Sequence, residues 1–156
     1  MKAVVEFDHI SDFVRKLRAA GSHTIAFTNG CFDILHRGHV ELLEKAKEYA
    51  DYLVVGLNSD ESVTRLKGKD RPYVNQDDRA YVLSRLEAVD VVCIFEQDTP
   101  IELIKRVKPD FLIKGGDYKV EQIVGREIVE ALGGKVLTVP LVPGRSTTNI
   151  LQKVRP

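Results

Sequence analysis

Two imidazoles and a glycine, His36, Gly38 and His39, stand together in the run GCFDILHRGH at positions 30–39 of the 156-residue chain. A separation of three positions puts both histidines on one face of a helical turn. Gly38 lets a ligand approach the backbone closely. The run follows a strand-like stretch and enters a helical pattern, so free N–H groups and the positive end of a helix dipole lie beside the imidazoles. Together they make a compact anion site suited to a triphosphate. Imidazole donates hydrogen bonds to oxygens that gain charge and can be cationic near neutral pH. The chemistry indicated is attack at phosphorus, accelerated by positioning and electrostatics. Two other readings stay open at this level. Asp33, His36 and His39 are residue types that hold metals, although a full set needs a fourth ligand and none is evident nearby. Histidines also serve as helix caps or core residues. The run is neither GxGxxG nor GxxxxGK[ST], so the dinucleotide-binding fingerprint and the P-loop are both absent.

Three further segments carry candidate groups. RLKGKDRP at 65–72 crowds Arg65, Lys67, Lys69 and Arg71 beside Gly and Pro, which reads as a solvated basic loop or as a mobile loop that closes over phosphates. Arg79, early in the next helical pattern, is a candidate of the same kind. Gly115, Gly116 and Asp117 form either a plain turn or a substrate loop in which Asp117 accepts hydroxyl hydrogen bonds from a sugar. Ser146, Thr147 and Thr148 open the last helix, where hydroxyls and free N–H groups cap it and can equally bind a β- or γ-phosphate.

These groups need a scaffold, and the apolar pattern supplies one. Strand-like runs occupy 24–29, 52–57, 91–95, 110–114 and 135–139, nearly continuous in hydrophobicity, as strands buried on both faces are. Helical patterns fill 37–50, 76–87, 99–107, 124–132 and the segment from Ser146 onward. The alternation predicts an α/β fold, a doubly wound five-stranded parallel sheet in the order 3-2-1-4-5 counted along these runs. Ligands in such folds bind beyond the carboxyl ends of the strands, where the strand order reverses, which is where the candidate loops fall. A further helix over 11–20 is expected to pack outside the catalytic unit, so residues 1–22 read as an extension of a single domain whose catalytic unit is 23–156. The 23 basic and 23 acidic side chains cancel, which argues against a broad nucleic-acid-binding surface but leaves room for a small phosphorylated ligand. Cys31 and Cys93 form no CxxC, the N-terminus lacks a signal peptide's apolar core, and no apolar run is long enough to span a bilayer; the expected setting is the reducing cytoplasm, away from the membrane.

GCFDILHRGH resembles the GxFDxxHxGH signature of the cytidylyltransferase-like nucleotidyltransferases, and KGGDY at 114–118 and STTNI at 146–150 are further matches in the expected order. Within that family the combination with RLKGKDRP and FEQDTP is most similar to the D-glycero-β-D-manno-heptose 1-phosphate adenylyltransferases of lipopolysaccharide precursor synthesis. The resemblance implies a Rossmann-like nucleotidyltransferase fold and in-line attack of a sugar 1-phosphate on the α-phosphorus of ATP, with Mg²⁺ bridging the phosphates rather than held by the protein alone. It implies catalytic roles for His36, His39, Lys67 and Thr147, and nucleotide contacts from Asn29, Gly30, Cys31, Phe32, Asp33, Gly38, Ser146 and Thr148. Gly115, Gly116, Asp117, Arg79 and Arg145 are expected to contact substrate. Arg145 departs from relatives that carry an arginine farther upstream, and either supplies that charge or faces solvent. A homodimer is implied, and 156 residues leave no room for a fused sugar kinase, which is expected as a separate protein. Two alternatives remain: a cytidylyltransferase for glycerol 3-phosphate or a related alcohol phosphate, distinguished by use of CTP, and a non-catalytic nucleotide sensor.

Overall fold

Each long apolar run becomes a strand because both of its faces are covered. In the computed structural model, which describes residues 2–156, the strands are β1 (Ala3–Val4), β2 (Ile25–Gly30), β3 (Tyr52–Asn58), β4 (Val91–Phe95), β5 (Phe111–Gly115) and β6 (Lys135–Val139). The helices are α1 (Ile10–Ala19), α2 (Arg37–Lys47), α3 (Asp60–Lys67), α4 (Gln76–Ser84), α5 (Ile101–Val107), α6 (Arg126–Ala131) and α7 (Thr147–Val154). All strand pairs are parallel, in the order β1-β4-β3-β2-β5-β6. The sheet therefore has six strands and not the five expected. The additional one, β1, is a two-residue edge whose Ala3 and Val4 pair with Val91 and Val92.

Alternation along β2 divides the core. Ile25 and Phe27 join α1, α5 and α6 on one face through Ile10, Val14, Leu103, Ile104 and Val129. Ala26 turns to the other face, with Leu43 and Ala46 of α2 and Ala80 and Leu83 of α4. The N-terminal helix is thus part of a core layer, with Ile10 fully buried.

Aspartates fix the amino ends of the strands. Asp90 accepts hydrogen bonds from Leu53 N (2.8 Å) and Lys47 Nζ (2.7 Å), while Asp110 accepts one from Ile25 N (2.8 Å). Each satisfies a strand-end N–H that would otherwise lack a partner.

The carboxyl ends carry the loops of interest. Helix α3 runs into the basic segment read as a loop from residue 65, so Arg65 and Lys67 occupy its last turn. Ser59 caps it by accepting from Ser62 N, and Gly68 ends it at φ 110°, a conformation glycine adopts without strain. Helices α2, α4, α5, α6 and α7 are shorter than their patterns by one to three residues at an end, and α1 is displaced by one residue, differences of the size that helix ends commonly show.

Candidate active site

The turn after β2 sets the site. Phe32 adopts φ 47°, a left-handed conformation rare for a bulky residue, and its side chain is buried against His39, with ring centroids 5.2 Å apart. This turn delivers the chain to the start of α2, where His36 is the N-cap. His36 Nδ1 accepts from Gly38 N at 3.1 Å, and His39 Nδ1 accepts from His36 N at 3.2 Å. The two rings stack with centroids 3.8 Å apart. Since both Nδ1 atoms act as acceptors, the ring proton of each histidine resides on Nε2, which is left to donate to a ligand.

Burial lowers both imidazole pKa values; for His39, burial first and the His36 charge second bring it to about 4. The reading that an imidazole here can be cationic near neutral pH changes accordingly for the free site: two positive rings in stacking contact, partly removed from water, repel each other, so the free site holds neutral donors.

Gly38 sits in close packing. A Cβ there would lie 3.0 Å from His36 Cε1 and 3.2 Å from Arg145 Cβ. Across the cleft, Ser146 caps α7 by accepting from Asn149 N at 3.0 Å, and Thr147 Oγ1 donates to Ile34 O at 3.3 Å, tying α7 to the turn after β2. The N-termini of α2 and α7 therefore face one cavity of about 550 Å³. Asn29, Gly30, Cys31, Phe32, Asp33, Gly38, Lys67, Arg145 and Thr148 line it as well. Lys69 lies in an adjoining cavity beside Arg71 and Arg155.

Three expectations change on contact with the structure. Arg79 is buried and outside the cavity lining: four of its five N–H groups donate, to Cys31 O (2.6 Å), Asn58 O (2.8 Å), Val74 O (2.8 Å) and Asp60 Oδ1 (2.7 Å), so it braces the loops behind the site. Asp33 has its carboxylate occupied by Arg71 Nε (2.7 Å), Tyr73 N (2.9 Å) and Val74 N (2.9 Å). Burial opposes its ionisation, but these donors prevail and hold its pKa below the usual range. Asp33 thus fastens the basic segment to the β2 turn, and it lines the cavity with its carboxylate already engaged. Gly115, Gly116 and Asp117 lie outside the cavity lining, because Gly115 is packed against Leu141 and Leu42, which line the cavity in its place. Sequence reasoning missed Lys114, Asn58 and Asp98 as lining residues. Lys114 was readable from its position at the carboxyl end of a strand, the end at which such sheets bind ligands.

Among the described residues no group of three His, Cys, Asp or Glu side chains is arranged to hold a metal ion, and no helix is long and apolar enough to cross a membrane. Both cysteines are free thiols.

Comparison with known proteins adds a second line. A family model described as cytidylyltransferase-like matches residues 27–153. The chain is 50% identical over 145 residues to the bifunctional protein HldE of Trichlorobacter lovleyi, an alignment covering 93% of this chain and 29% of that protein. It therefore spans about three-tenths of the length of that curated relative. Among solved structures it is similar to the lipopolysaccharide core biosynthesis protein of Thermoplasma volcanium, with 30% identity, a TM-score of 0.63, and coverage of 77% of this chain and 97% of that one. A pantoate-beta-alanine ligase from Francisella tularensis shares the fold at 18% identity and a TM-score of 0.59, covering 95% of this chain and 69% of that one.

Proposed function

The chain belongs to the cytidylyltransferase-like family, and from that premise we propose that it transfers AMP from ATP to D-glycero-β-D-manno-heptose 1-phosphate, giving ADP-heptose and pyrophosphate. The observation that carries the reaction class is the stacked His36–His39 pair, whose Nδ1 atoms are both engaged by backbone N–H groups and whose Nε2–H donors remain for phosphate oxygens. The heptose assignment is supported by the joint presence of RLKGKDRP, FEQDTP, KGGDY and STTNI, and by the similarity to a lipopolysaccharide core biosynthesis protein.

In this reading an oxygen of the acceptor phosphate attacks the α-phosphorus of ATP in line. The bond to the bridging oxygen breaks, and pyrophosphate leaves with the electron pair. His36 and His39 donate to the oxygens that gain charge. The N-termini of α2 and α7, with Lys67 and Arg145, hold the β- and γ-phosphates. Magnesium enters with the nucleotide as part of the substrate: the cleft's carboxylates are committed, Asp33 to Arg71 and Asp98 to Arg65, which suits an ion that keeps waters and phosphate oxygens as ligands. Two free thiols support a reducing compartment such as the cytoplasm.

The test is a pyrophosphate-release assay crossing ATP and CTP with a panel of phosphorylated acceptors that includes heptose 1-phosphate and glycerol 3-phosphate. Release is expected with ATP and heptose 1-phosphate. Absence of release with that pair, while another pair reacts, overturns the assignment.

A further inference from the structure

The sheet opens at one place on its carboxyl edge. β2 pairs with β3 along its whole length, from Ile25 to Gly30, but its ladder with β5 comprises Ala26–Phe111 and Phe27–Leu112. Beyond that point β5 stays with β6 as far as Gly115–Val139. β2 and β5 therefore part, and continuing the register sets Asn29 and Lys114 on the two sides of the gap. Both residues line the histidine cleft, and both also line a second cavity of about 230 Å³ on the other side.

Lys114 is unusual among the chain's cations. Its side chain is half-buried and stands over the Tyr118 ring at 5.3 Å, and its ammonium has neither a carboxylate nor a hydrogen-bond acceptor beside it among the described residues. Burial first, and the Lys67 charge further, lower its pKa, so the charged form is under-compensated until an anion arrives. The second cavity is lined by polar groups from Asp98, Thr99, Gln122 and Tyr118 together with apolar Leu112 and Ile123. Such a lining fits a polyhydroxylated carbon skeleton, whose hydroxyls need acceptors and donors and whose C–H faces need apolar contact.

We propose that Lys114 binds the phosphate of the acceptor at the gap between β2 and β5, and that the cavity beyond it, entered past Asn29, receives the acceptor's polyol body. This rests on the adenylyltransferase reading and deepens it. The nucleotide phosphates occupy the side of the gap with the histidines and the two helix N-termini. The acceptor comes from the opposite side, with its phosphate meeting the α-phosphorus at Lys114. In-line displacement requires the attacking and leaving oxygens on opposite sides of phosphorus, and two cavities that meet at Asn29, Asp98 and Lys114, with Lys114 the one cation among them, suit that approach.

The test compares wild type with Lys114→Met and Lys114→Arg, using heptose 1-phosphate as acceptor. Initial rates of pyrophosphate release are measured with either substrate varied. Binding of a non-hydrolysable ATP analogue, and of heptose 1-phosphate in its presence, is measured by calorimetry. Lys114→Met is expected to raise the acceptor KM and Kd about 10- to 100-fold, the worth of a charged hydrogen bond, with analogue Kd within about twofold of wild type. Lys114→Arg is expected to restore most of the acceptor affinity. An unchanged acceptor Kd in Lys114→Met, or an equal loss of analogue binding, overturns the subsite. Should wild type turn over no heptose 1-phosphate, the reaction assignment fails by itself, and the subsite is then decided by the same binding comparison with glycerol 3-phosphate. Loss of phosphate-dependent acceptor binding in Lys114→Met supports it, and equal binding by both proteins refutes it.

Discussion

His39 is held by two constraints at once, burial and the His36 N–H on its Nδ1, and both favour the neutral ring. His39→Asn is expected to lower kcat about 10²- to 10³-fold, the usual cost of one donor to a charge-developing oxygen, with the far-ultraviolet spectrum unchanged. An unaltered kcat would remove the histidine from the chemistry. Its titration also has a stability consequence. The folded pKa is about 4 against an ordinary 6.5, so between those values the unfolded chain binds the extra proton. The contribution is complete above pH 6.5 and declines as pH falls toward 4. Urea midpoints at pH 7 and pH 4.5 should therefore differ less in His39→Asn than in wild type. Asp33→Asn leaves the largely buried Arg71 guanidinium without its counter-charge, and is expected to cost about 3–5 kcal/mol by urea titration at pH 7. The histidines were legible because their spacing is local. The partners of Asp33 and Arg79 were not, because those pairings join residues brought together by folding from different loops.

Among the elements, α2 is the one whose first turn carries both histidines of the proposed reaction, and Gly38 shows the constraint. Gly38→Ala adds a methyl at 3.0 Å from the His36 ring, so the ring must give by a few tenths of an ångström against its hydrogen bond from Gly38 N. A loss of about 10- to 100-fold in kcat/KM is expected, with the urea midpoint near wild type, since alanine is itself a good helix former. Equal kinetics in the two proteins would mean that the ring's position is not critical. The five long strands could be read from sequence because burial on both faces leaves an uninterrupted apolar run. Helix α3 escaped because it buries a single large apolar residue, Val63, and so has no stripe to detect. Its end signals were nonetheless present: the Ser59 cap, Asp60 and Glu61 in the first turn, Arg65 and Lys67 in the last, and Gly68 beyond. β1 escaped because two residues carry no periodicity.

At the scale of the whole molecule, a chain with no net charge gathers His36, His39, Lys67, Lys114, Arg145 and two helix N-termini around one cleft. That convergence follows from topology, since every strand presents its carboxyl end to the same side of the sheet. The N-terminal segment, read from sequence as an extension, contributes to both the sheet and the core. Ile10→Ala is accordingly expected to cost about 2–5 kcal/mol in urea titration, the range for truncating a fully buried aliphatic side chain. A cost near zero would return that segment to the status of an appendage.

The pairing of Ala3 and Val4 with Val91 and Val92 also orders events in time. Of the six strands described, β1 comes earliest along the sequence, so it has no partner until β3 and β4 have been made and laid side by side, and closing so long a loop yields only two rungs of ladder in return. Its docking belongs at the end of assembly. By the same ledger this corner is the first to open, so the weakest seam of the described sheet lies two strands away from β2 and the histidine cleft, where transient unzipping leaves the cleft's geometry undisturbed.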